Sequence, residues 1–136
     1  MRKTMVIAAG LLALAGCSIG KDVPLAEQQV TNFHKQLDGT QFEAIWQDSA
    51  QDLKNSGREA SFMVFLDAVH RKLGAFRSGK QQGWNDQAST NGHFITLNYL
   101  SIFAKGTATE NFVYRIQDGK ALLAGYHLSS DALILN

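Results

Sequence analysis

An α+β fold, with amino-terminal helices packed on a curved four-stranded antiparallel sheet, is predicted by three observations in this sequence. Apolar residues recur at helical spacing as far as Gly74. Beyond it the runs become strand-like, with turn residues between them. Two dipeptides, Lys105-Gly106 and Asp118-Gly119, fit two-residue hairpin loops, which make successive strands antiparallel neighbours.

Each element has its own signal. Pro24 suits a first helical turn, and Leu25, Val30, Phe33 and Leu37 carry an apolar stripe until Asp38-Gly39 ends it. Thr40-Gln41-Phe42-Glu43 reads as a capping box opening a short helix with Phe42, Ile45 and Trp46. A second box, Ser56-Gly57-Arg58-Glu59, opens the clearest helix, with Phe62, Phe65, Leu66, Val69 and Leu73 on one side and Gly74 just past its end. Residues 62–66 are apolar nearly all round, as a second buried face or a dimer contact would require. Strands are expected at 76–84, 93–104, 107–117 and 120–130; polar Lys80, Gln81 and Gln82 suit the first of them to an edge.

The two loops also predict register. Asp118-Gly119 sets Ile116 against Ala121, Tyr114 against Leu123, Phe112 against Gly125 and Glu110 against His127. Lys105-Gly106 sets Ile95, Leu97, Tyr99 and Ser101 opposite Ile116, Tyr114, Phe112 and Glu110. Both loops give the same apolar face, which should receive the long helix, with Asn111 and Arg115 pointing the other way.

The amino terminus has a separate logic. Arg2 and Lys3 precede an uncharged run from Met5 to Ala15, a secretory-signal pattern too short to span a bilayer, which takes roughly 20 apolar residues. Leu14-Ala15-Gly16-Cys17 closes the run and resembles the lipobox of bacterial lipoprotein precursors. That resemblance implies removal of residues 1–16, acylation of Cys17, a lipidated tether at 17–23 and one domain at 24–136. Two or three acyl chains hold a protein stably where one holds it marginally. Ser18, not Asp, after the acylated residue implies sorting to the outer membrane, facing the periplasm. With its only cysteine lipidated, the chain would have no internal disulfide and no catalytic thiol.

Loss of Arg2 and Lys3 takes the charge from 13 basic against 12 acidic residues to 11 against 12. A near-neutral domain argues against a nucleic-acid binder, which would show a basic stripe. With 45 % apolar residues the mature chain can fill one core.

Helices followed by a curved antiparallel meander look like the cone-shaped nuclear transport factor two-like fold. Leu73-Gly74, Arg77, the segment 110–116, Asp118-Gly119, and Gly125-Tyr126 followed by His127 are similar to an uncharacterised family of small bacterial exported proteins, over roughly residues 26–130. The superfamily holds isomerases, dehydratases, cyclases and non-enzymatic binding modules, so the resemblance implies fold and leaves activity open.

Candidate chemistry is sparse. The expected register lines up Ser101, Glu110 and His127 across three strands. A carboxylate beside an imidazole can make a general base, but a carboxylate in the middle cannot serve a nucleophilic triad, whose histidine must touch both partners. A cross-strand hydrogen-bonded pair is the structural alternative. Trp46, His70, Tyr99, Phe112 and Tyr114 are candidates to line a ligand pocket, with Gly125 leaving space opposite Phe112; core packing is the alternative for each. His34 and His93 have no partner evident in the sequence, and no metal-ligand spacing or phosphate-binding glycine loop occurs, so no metal or cofactor is expected. The expected role is a lipid-anchored envelope module that binds a protein partner or a small ligand without catalysis. The alternative is an isomerase- or hydrolase-like enzyme using a Glu-His pair, and a third reading is a homodimer formed through an outer face bearing Val113, Leu122 and Tyr126.

Overall fold

The computed structural model describes residues 18–135; the expected signal peptide and Cys17 lie outside them. The order is α1 (Val23–Asp38), α2 (Phe42–Gln47), α3 (Gln51–Ser56), α4 (Glu59–Leu73), β1 (Phe76–Ser89), β2 (Gly92–Phe103), β3 (Gly106–Gln117), β4 (Lys120–Ser129) and α5 (Ala132–Leu135). The strands pair in the order β1-β2-β3-β4, all antiparallel, which is the α+β architecture expected. The sheet curves without closing: β1 carries two register shifts, and such bulges bend a strand.

One apolar core lies between the helices and the concave face. Leu37, Leu66, Val69, Leu73, Ile95, Leu97 and Phe112 are fully buried there, each such side chain contributing about 1.5–3 kcal/mol of transfer free energy. The helix laid across the sheet is α1, through Phe33 and His34 on Phe112. The helix expected there, α4, packs mainly on α1, α2 and α5 and reaches β4 through Phe65 and Tyr126. In the apolar run on α4, Leu66 is sealed, Phe62, Met63 and Phe65 are half-buried, and Val64 faces solvent.

Neither capping box forms. Thr40 has a positive φ of 54° and its hydroxyl donates to the Gly39 carbonyl, while Ser56 ends α3 and donates to Leu53. The unanticipated α3 closes off the β4 edge, where the Ala50 amide donates to the Leu123 carbonyl at 2.9 Å. It also sets Asp52 on Arg115 with two hydrogen bonds of 2.7 Å, and Arg115 lies over the Phe94 ring on the outer face.

Three register expectations are corrected. The β2–β3 loop is Ala104-Lys105, one residue early, so Glu110 faces Tyr99 and Ser101 faces Ala108; the shift is even and the apolar face survives. The loop amides donate to the Leu73 and Ala75 carbonyls. Gly106 is small for a different reason: a Cβ there would stand 2.8 Å from that of Ala132. In β4 a bulge at Ala124 advances the chain, so Phe112 faces Tyr126, Val113 faces Gly125, and Asn111 faces His127. The bulge turns Tyr126 into the core at 6 % exposure and takes it off the outer face, where a dimer contact was expected. Finally β1 runs on to Ser89, because residues 85–89, polar except for Ala88, still pair with β2 along the edge strand.

Candidate functional site

The polar centre of the domain is Glu110, wholly buried on β3. His34 of α1 brings Nε2 to 2.8 Å from Oε1, and the Tyr126 hydroxyl donates to Oε2 at 2.5 Å. A carboxylate has only acceptors, so in this pair Nε2 donates and Nδ1 is the ring nitrogen left over. Among the described residues Nδ1 makes no hydrogen bond. The ring is held flat by Phe76, stacked at 3.7 Å and 7°, and edge-on by Phe103 and Phe112. Burial, then the charge of Glu110, pushes the Tyr126 phenol well above its ordinary range, so it stays a donor.

His34 lines a cleft of about 430 Å³ between the second half of α1 and β1, together with Val30, Thr31, Lys35, Asp38, Phe76, Gly79 and Tyr99. Gly79 keeps its floor open, since a Cβ there would come within 3.3 Å of Phe76 and Tyr99 and 3.4 Å of Ser101 Oγ. Among the described residues that hydroxyl is sealed and unpartnered, as is the Tyr114 hydroxyl on the same face of the sheet. Burial also raises the Tyr99 phenol above its usual value.

The expected row of Ser101, Glu110 and His127 does not assemble. The Ala124 bulge turns His127 to the outer face, beside Asn111, and the histidine that meets Glu110 is His34, sixty residues and more upstream. The signal for it was present: His34 is four residues past Val30 and three before Leu37, on the buried stripe of α1. The expected pocket residues are dispersed. Tyr99 lines the cleft, Tyr114 a separate hollow with Asn32 and Gln36, and Trp46 a third with Phe62. Gly125 borders an outer groove with Phe94 and Val113, and stands opposite Val113 instead of Phe112. Phe112 is core, and His70 sits edge-on to Phe42 with Nδ1 buried and, among the described residues, unpartnered. His93, unpartnered in the sequence, meets Asp86 at 2.7 Å. Among the described residues no group of three or more His, Cys, Asp or Glu side chains could hold a metal, and no helix is long and apolar enough to cross a membrane.

No curated protein matches the chain. Residues 29–126, from the middle of α1 through Glu110 to Tyr126, match the model of a family described as "Protein of unknown function (DUF4019)". That span is most of the domain, and the chain belongs to this family.

Proposed function

We propose that this chain is a lipid-anchored envelope protein whose cleft beside α1 binds a small ligand without transforming it. The observation that carries the binding role is His34, held in one orientation by Glu110, itself bonded to Tyr126, on the wall of a cleft that Phe76 and Tyr99 also line. An apolar cavity with few, placed polar groups is the usual form of a small-molecule site. The anchor rests on the Cys17 motif, which resembles a lipobox. Protein purified from envelopes in detergent and washed should carry a small molecule identifiable by mass spectrometry, and Tyr99→Ala should lose it. The same retained set in both chains would sink the cleft as the binding site. For the anchor, Cys17→Ser should leave the chain unprocessed or release it; an unchanged membrane fraction would refute acylation.

A second reading, general-base catalysis, is favoured by the same pair: a carboxylate behind a histidine fixes the orientation of its ring, and His34 Nδ1 is unpartnered among the described residues. Once the ligand is known, turnover by the native chain and none by His34→Gln, with binding retained in both, would establish it over simple binding.

A further inference from the structure

The segment between Cys17 and the first helix is fastened to the sheet. The Gly20 amide donates to Asp86 Oδ2 at 2.7 Å, and Gly20 lies so close under Trp84 that a Cβ would stand 3.0 Å from the ring. His93 bonds the other Asp86 oxygen at 2.7 Å and faces Asp22 across 3.8 Å. Gly20, with φ +80°, supplies the turn this path needs. Three links of chain separate Cys17 from Gly20, and a run of that length spans at most about 10 Å.

We infer that the β1–β2 end of the sheet, with Trp84 and Ile19, is a surface that rests on lipid. The inference builds on the proposed acylation of Cys17, since acyl chains sunk in a bilayer about 10 Å from Gly20 would bring this end of the domain to the headgroups. Two large apolar side chains wait there in water: Ile19 is 72 % exposed and Trp84 48 %. An indole with one apolar face and one hydrogen-bonding edge suits the membrane–water interface better than either phase. Lys21 on the same turn is exposed, and its cation is free to meet anionic headgroups.

The test uses the mature acylated protein reconstituted in phosphatidylcholine–phosphatidylglycerol vesicles whose acyl chains are brominated near the headgroup. With Trp46→Phe removing the only other tryptophan, Trp84 emission should shift to the blue and be quenched by the brominated lipid. A tryptophan at exposed Val64 on α4, in a Val64→Trp, Trp84→Phe, Trp46→Phe chain, should show neither change. Asp86→Asn, which weakens the clamp, should lose part of the quenching while the protein still floats with the vesicles. Should Trp46→Phe not fold, the difference in quenching between the native chain and Trp84→Phe reports the same quantity. Acylated, vesicle-bound protein with Trp84 no more quenched than position 64 overturns the docking alone. A mature chain whose mass shows no acyl group overturns the anchor, and this inference with it.

Discussion

Glu110 concentrates more consequence in one side chain than any other residue of the domain. Both its oxygens are bonded at zero exposure, so removing it strands two buried partners, His34 Nε2 and the Tyr126 hydroxyl. Glu110→Ala should therefore cost about 2–6 kcal/mol, at about 1–3 kcal/mol for each stranded partner. Tyr126→Phe, which removes one bond to the carboxylate and keeps the ring packing, should cost about 1.5–3 kcal/mol. Urea midpoints measure both, and the double variant should cost less than the sum, because the two residues share a bond. An unchanged midpoint for Tyr126→Phe would mean that the hydroxyl contributes nothing. The inward aim of Glu110 was legible in strand alternation. Its partners were not: Tyr126 enters through an extra residue that alternation cannot show, and His34 is assigned only when the whole α1 stripe is taken as buried.

At the scale of elements, two glycines separate space from conformation. A Cβ at Gly125 would meet Val113 at 3.6 Å, an ordinary contact, whereas at Gly106 it would collide with Ala132 at 2.8 Å. Gly125→Ala should change stability by no more than about 0.5 kcal/mol, and Gly106→Ala should cost about 1–3 kcal/mol through overpacking against α5. Thermal unfolding of the two variants side by side checks the contrast, and equal effects would reject it. The strands and the Asp118-Gly119 loop were readable because alternation and turn chemistry are local signals. The β2–β3 loop was misplaced by one residue because Gly106 answers a tertiary demand, the approach of α5, that local sequence does not encode. Likewise α3 owes its place to the β4 edge and to Arg115, partners more than sixty residues away.

For the molecule as a whole, two carboxylates tie distant segments together. The Arg115 guanidinium holds Asp52 below the usual carboxylate range, and the Gly20 amide, then His93, do the same for Asp86. A depressed folded-state value contributes stability above the unfolded value of about 3.9, and that contribution fades as pH falls through the depressed one. The urea midpoint should hold near neutrality and drop below about pH 4, with a shallower fall in Asp52→Asn. A midpoint flat down to pH 2 would show that neither link matters to folding.

Besides the Gly20–Asp86 bond at its start, α1 has a second fastening at its end: the Phe76 amide donates to Asp38 Oδ1 at 3.0 Å, at the point where β1 begins. A rod pinned at both ends above an edge strand is held against swinging aside. The slot beneath it then selects what enters by girth and outline, as a preformed mould does.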